Sequence, residues 1–241
     1  DVHGRHAGSR PVRDALGHAR LVLANSAGTA QRCEQRGARR TRVLHLGADL
    51  PVGPRAAPEP PVLVSVGHLI ERKRHADVIE ALALLADRHP GLRLEIAGGG
   101  PERETLAGLA RARGVAERVT LHGRVAPERA VAVGRSGTLF VLPSVAEAFG
   151  VAYVEAMAAG VPAIGCRGED GPEEIARCGG GIELVEPRLP VALADAISSL
   201  LQEPRRLASL GAAARATVAE SFTWERCGRE TVAAYEEALH G

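Results

Sequence analysis

At 241 residues the chain is long enough for one large core or a core and a half, and its 45% hydrophobic and 24% charged content is that of an ordinary globular protein. A formal net charge of +1 leaves no overall polyelectrolyte signal, and 2% aromatic content argues against a base-stacking platform, so no nucleic-acid partner is expected. No apolar run reaches the ~20 residues of a membrane span.

The first fifty residues hold a helix around Val12 to His18, a strand "LVLAN", a helix from Ser26 and a strand "RVLHLG". Two strands are too few for an independent α/β core, so residues 1–50 read as the end of an incomplete second unit. Nine arginines against four acidic residues there suit an anionic membrane surface or acidic partner; the alternative is a solvated arginine face. "PVGPRAAPEPP", residues 51–61, is a stiff Pro-rich linker. Residues 62–222 then alternate short β-branched or Leu-rich runs with amphipathic stretches, from "VLVSVG" and "HADVIEALALLADRH" to "PEEIARC" and "GIELV". Such alternation predicts about six strands in a Rossmann-like, doubly wound parallel α/β sheet. Residues 223–241 form a closing helix with Thr223 as N-cap and Val232 and Tyr235 along one face.

Two kinds of residue stand out by type. Cys33, Cys166, Cys178 and Cys227 are scattered, with neither a C-x-x-C pair nor a histidine at metal-ligand spacing; they read as reduced thiols of a cytosolic protein, and no metal is expected. Of 30 basic residues only Lys73 is lysine. Arginine has taken over wherever charge suffices, so Lys73 marks a place that needs a compact ammonium rather than a planar fork; the alternative is chance retention on a solvated loop.

Ligands of a doubly wound sheet bind at the carboxyl ends of its strands. The loops expected there are "GHLIERKRH", "GGGPERE", "HGRVAPE", "PSVAEAFG" and "CRGEDGPEE". Gly-rich turns entering helices offer amides and a positive dipole end to phosphate. In "PSVAEAFGVAYVEAMAAGVP" a helix of small and apolar residues carries Glu155, and Glu147 precedes it. Phe149, Gly150 and Val151 fall at the helix start, where Gly150 permits close backbone approach. By helix rise Glu155 lies about 12 Å beyond Glu147. Carboxylates so separated suit sugar hydroxyls better than a shared proton: Glu147 would face one sugar and Glu155 a ribose diol. The alternative for Glu155 is an arginine-bonded structural network.

At these residues the sequence resembles the family 4 retaining glycosyltransferases of GT-B fold, whose pattern E-x-F-G-x-x-x-x-E-A-M-A-x-G-x-P stands here as Glu147, Phe149, Gly150, Glu155, Ala156, Met157, Ala158, Gly160 and Pro162. "LVLANSAGTA", "VLHLGADL", "GGGP" (ending at Gly100 and Pro101), "VTLHGRV", "FVLPS" and "FTW" extend the likeness over nearly the whole chain. The resemblance implies that Glu147 contacts the donor hexose, Glu155 the ribose, and the amides of Phe149, Gly150 and Val151 the sugar and phosphates. Lys73 matches the diphosphate-binding lysine. His68 stands where the family carries an arginine, leaving Arg72 or Arg74 as substitutes for that contact. Gly123, Arg124 and Val125 resemble the nucleobase clamp. "DVHG" resembles an acceptor-side strand ending in a cleft histidine, His3; a surface histidine is the alternative. The family's acceptor domain is mostly absent from these 241 residues.

The expectation is thus a metal-independent retaining hexosyltransferase that uses a nucleoside-diphosphate sugar, present mainly as its donor-binding half and inactive without the rest, with Glu147, Lys73 and His3 as catalytic candidates. Its acceptor would be an unidentified glycan, lipid or small molecule, and its place the cytoplasm or the inner membrane face. The alternative is a non-catalytic nucleotide-sugar-binding module or partner subunit. A GT-B-shaped epimerase would need catalytic carboxylates and a histidine in both halves, which the "EAFG…EAMA" pattern speaks against.

Overall fold

The computed structural model describes residues 10–53 and 55–240. It opens with α1 (Arg10–His18), followed by a small βαβ unit: β1 (Val22–Ala24), α2 (Ala27–Gln35) and β2 (Thr41–Val43). β1 and β2 pair in parallel, Leu23 opposite Arg42. Ser26 starts α2 as the sequence leads one to expect, its hydroxyl accepting from Thr29 N at 3.2 Å.

Beyond residue 61 lie β3 (Val62–Val66), α3 (His75–Leu84), β4 (Arg93–Ala97), α4 (Arg103–Ala112), β5 (Val119–Gly123), α5 (Pro127–Ser136) and β6 (Leu139–Val141). They continue as α6 (Val151–Met157), β7 (Ala163–Cys166), α7 (Asp170–Cys178), β8 (Ile182–Val185) and α8 (Pro190–Gln202). The six strands form one sheet in the order β5-β4-β3-β6-β7-β8, every pair parallel. The α/β doubly wound fold expected from the alternation is therefore the one found. Winding reverses between β3 and β6, and that reversal opens a crevice at their carboxyl ends.

Each strand divides its side chains between two cores because successive residues face opposite ways. Leu63, Leu139, Val141 and Ile164 pack with Val78, Leu82 and Ile197 on one face. Val64, Phe140 and Ala163 pack with Val133, Tyr153 and Val218 on the other. Each of these aliphatic side chains contributes ~1.5–3 kcal/mol by leaving water, which fixes strand register: a slip by one residue would exchange the two faces.

α9 (Pro204–Ser221) and α10 (Trp224–His240) close the chain. Thr223 caps α10, its hydroxyl accepting from Arg226 N at 3.1 Å. α10 returns to the small unit, where Glu237 meets Arg40 at 2.5 Å and Arg42 at 3.3 Å. The joint is tight: Ala48 N donates to Phe222 O at 2.8 Å, and any side chain on Gly47 would run into the backbone at Trp224. Val232 and Tyr235 lie three residues apart along α10 on a face that stays 58% and 66% exposed, and Ala234 is the buried residue of the helix. α8 and α9, which the sequence reading did not set out, cover the sheet beyond β8 and pack on α3 and α6.

Candidate functional site

Residues brought from five loops gather at the carboxyl ends of the strands. A cleft of about 980 Å³ is lined by residues 66–68 after β3, 97–100 after β4, 124–127 after β5, and Ala130 of α5. It holds four sequence candidates: His68, Gly100, Arg124 and Val125. Its floor is backbone. Gly98, at φ 155°, leaves no room for a Cβ against Gly67 O, and a Cβ on Gly100 would strike Leu69 O. Gly123 ends β5 at φ 72°, with the Arg103 guanidinium against the place its side chain would occupy. The side chains of His68, Arg103 and Arg124 make no hydrogen bond or ion pair with the described residues, so donors stand unused at this end.

The other candidates meet beside it, at the crevice between β3 and β6. A short 3₁₀ turn, Glu71–Lys73, follows β3, and Lys73 Nζ reaches Glu147 Oε2 at 2.5 Å. Ser144 Oγ donates to the same oxygen at 2.8 Å. The Lys73 and Glu147 side chains are only 12% and 8% exposed, so each charge depends on the other. Gly67 joins this pair to the cleft: a Cβ there would rest 3.7 Å from Lys73 Cδ. The two loops are also tied through backbone, Val145 N donating to Arg72 O at 2.8 Å.

The loop carrying Glu147 is strained and heavily braced. Ala146 takes a left-handed φ of 53°, and Gly150 ends the loop at φ 83° as the N-cap of α6. A side chain on Gly150 would collide with the Tyr153 ring at 2.5 Å. Glu147 N donates to Glu169 Oε2 at 2.9 Å, and Glu147 O accepts from Gly171 N at 3.0 Å. Because α6 begins only at Val151, the first half of the span from Glu147 to Glu155 is not helical, and the 12 Å helix-rise estimate does not apply.

Glu155 lies on α6, half-buried. Arg135 approaches, but its hydrogen bonds go to carbonyls, those of Glu155 itself at 3.1 Å and Asp49 at 2.5 Å. The Glu155 carboxylate has no hydrogen-bond or ion-pair partner among the described residues. Burial pushes its pKa up; Arg135 lowers it and Asp49 raises it. It is an acceptor without a donor.

Other candidates fare differently. Arg74 is committed to Asp77 through two bonds of 2.9 and 2.7 Å, which withdraws it as a substitute phosphate contact. Arg72 is exposed and donates to Ala146 O at 3.3 Å. The Phe149 ring is buried in an aromatic cluster, so only its backbone is available. Val151 opens α6. His3 lies outside the described residues. Sequence reasoning missed Ser144, Glu169 and His75. His75 is fully buried, 3.2 Å from Ser65 Oγ through Nδ1, and its Nε2, beside Gly67, makes no hydrogen bond of normal geometry with the described residues. Its position at the start of α3, two residues after Lys73, was the available signal.

The model of the family described as "Glycosyl transferases group 1" matches residues 51–217, which spans the whole six-stranded sheet and every residue of this site. The chain belongs to the glycosyl transferases group 1 family. Among similar members, a GDP-mannose-dependent alpha-(1-6)-phosphatidylinositol monomannoside mannosyltransferase of Mycobacterium tuberculosis is 34% identical over 174 residues, covering 69% of this chain and 45% of that protein. A D-inositol 3-phosphate glycosyltransferase of Nocardia farcinica is 34% identical, covering 95% of this chain and 56% of that one. This group 1 chain thus spans about half the length of these relatives. Its fold matches Anabaena HepE, crystallised with UDP and glucose, at a TM-score of 0.85 and 22% identity over 98% of this chain and 70% of that one. It also matches the sucrose-phosphate synthase of Thermosynechococcus elongatus at 0.81 and 25% identity, covering 98% and 64%. The group 1 sheet is of the GT-B glycosyltransferase type.

Proposed function

We propose that this chain carries the donor-binding part of a family 4 retaining hexosyltransferase that uses a nucleoside-diphosphate sugar. The observation that carries the reading is the meeting of Lys73 and Glu147 at the β3/β6 crevice, beside a glycine-floored cleft. In this reading the nucleobase lies between Gly100 and the Gly123–Arg124–Val125 turn, and Glu155 accepts from the ribose diol. The diphosphate takes Lys73 from Glu147, which frees that carboxylate to accept from a hexose hydroxyl. As the anomeric carbon–oxygen bond breaks, charge accumulates on the departing diphosphate, where the preplaced Lys73 ammonium offsets it. A leaving phosphate oxygen then removes the proton of an acceptor hydroxyl arriving on the same face, which retains configuration. No step in this scheme needs a metal.

The relatives' names supply a starting panel: one contains GDP-mannose and both contain inositol. Thermal shift and calorimetry with UDP-, GDP- and ADP-sugars test the donor site. At one hundred times Kd a ligand stabilises the fold by ~2.7 kcal/mol; no shift with any of them removes the donor-site reading. Rapid transfer also requires an acceptor held in near-attack geometry with water excluded, so these 241 residues alone should bind donor and transfer little. Adding the half present in the longer relatives should restore transfer to inositol phosphates, glycans or lipids. Robust turnover by the 241 residues alone would show that the acceptor binds within them. No helix among the described residues is long and apolar enough to cross a membrane. The arginine-rich first fifty residues support a cytoplasmic enzyme that visits anionic membrane, which co-sedimentation with phosphatidylglycerol vesicles would check.

A further inference from the structure

We infer that His45 is a positioning residue: its imidazole holds Phe149, and through it the loop of Glu147, in the shape that recognises the sugar of the donor. The inference rests on the donor-site reading above.

His45 follows β2, outside the six-stranded sheet. Its ring stacks on Phe149 with centroids 5.9 Å apart and planes 14° from parallel. It also meets Phe222 at 5.1 Å, and Phe222 meets Phe149 edge-on at 5.7 Å. Three segments distant in sequence thus join in one ring cluster: the exit of β2, the Glu147 loop and the α9–α10 joint. Phe149 is 1% exposed, two residues from Glu147 and one from the left-handed Gly150, so a shift of its ring moves both ends of the strained loop.

The His45 ring is itself fixed. Its Nε2 lies 2.8 Å from Glu174 Oε1 on α7, while Glu174 Oε2 accepts from Ala27 N at 3.2 Å and Arg177 Nη1 at 3.0 Å. The start of α7 presses the same loop from the other side, because Gly171 lies so close to Phe149 O that no Cβ would fit. Glu169, next to α7, takes Glu147 N. The small unit and α7 therefore both contact the loop, and His45 touches the loop through Phe149 and α7 through Glu174. Stacking is directional, and a misplacement of about 1 Å at a recognising carboxylate is enough to cost a large factor in the geometry it serves.

The experiment uses the 241-residue chain and its His45→Ala, His45→Phe and His45→Gln variants. Calorimetry reads the affinities for UDP, GDP, UDP-glucose and GDP-mannose, and thermal melts read stability. Phe keeps the stack and loses the bond to Glu174; Gln keeps a donor for Glu174 and loses the stack. His45→Ala and His45→Gln should bind the diphosphate that the parent chain binds within about twofold, and its sugar-bearing donor about tenfold more weakly. His45→Phe should restore the sugar preference even where it melts lower. A preference that is unchanged in every folded variant, or that follows melting temperature rather than the ring, overturns the inference. If His45→Ala does not fold, the Phe and Gln variants decide. Failure of the parent chain to bind any of the four ligands, and ADP and ADP-glucose as well, overturns instead the donor-site reading on which it rests.

Discussion

Lys73 and Glu147 stand 74 positions apart and meet at 2.5 Å where the sheet changes its winding direction. Removing one member should leave the other charge buried and uncompensated, at a cost of ~3 kcal/mol. Lys73→Met is therefore expected to destabilise the chain more than the double variant Lys73→Met/Glu147→Leu. Urea unfolding of the two single variants and the double gives the coupling directly; additive losses would mean the charges do not depend on each other.

Lys73→Arg preserves charge but places a wide fork where the ammonium contacts Glu147 beside Ser144. The variant is expected to lose ~1–2 kcal/mol of nucleoside-diphosphate affinity and none of its affinity for the free nucleoside. Equal losses for the two ligands in calorimetry would place Lys73 away from the phosphates.

Much of this architecture was legible in the sequence, because six apolar strands, their glycine-rich exits and the two glutamates each announce themselves within a dozen residues. The pairing of Lys73 with Glu147 was not, since only strand order brings β3 beside β6. Arg74 looked as available as Arg72 until Asp77, three residues on, was seen to claim it; local sequence contains both partners but not their rotamers. Val232 and Tyr235 followed a helical period, yet periodicity does not say whether a neighbour covers that face.

Glu155→Gln should separate two roles. If Glu155 holds a ribose diol, the variant loses roughly 1.5 kcal/mol, about tenfold, for a ribonucleotide, and much less for its 2′-deoxy counterpart, which never made the bond. Glu147→Gln should instead spare the diphosphate and weaken only the sugar-bearing donor. The reverse pattern would exchange the two assignments.

The same Glu155→Gln variant carries a pH signature. Burial raises the folded-state pKa above the ordinary 4.5, so the folded chain holds its proton more tightly than the unfolded one. The charged form is therefore unfavourable to folding above that raised value, and the handicap disappears below pH 4.5. Glu155→Gln is expected to melt higher than the parent at pH 7 and at the same temperature near pH 4. A lower melting point at pH 7 would show that the carboxylate is satisfied in the free protein.

His75 acts in the opposite direction along the pH axis. Burial is the main reason its pKa falls from 6.5 to about 4; the Lys73 ammonium adds to the fall, and the carbonyls of His68 and Gly67 partly offset it. Between those values the unfolded chain binds a proton that the folded chain refuses, so the stability present above pH 6.5 declines as pH drops toward 4, by ~3 kcal/mol in all. Urea unfolding at pH 7, 6 and 5 should show this slope, and His75→Gln should flatten it. An identical slope in the variant would assign the titration to another group.

The backbone-on-backbone floor at Gly98 and Gly100 has an evolutionary consequence. Those positions have no side chain to vary, because adding one drives it into the carbonyl of Gly67 or Leu69 rather than reshaping the cleft. On the donor-site reading, a lineage that changes its preferred ligand does so from the walls, at His68 and Arg124, whose polar groups are uncommitted among the described residues.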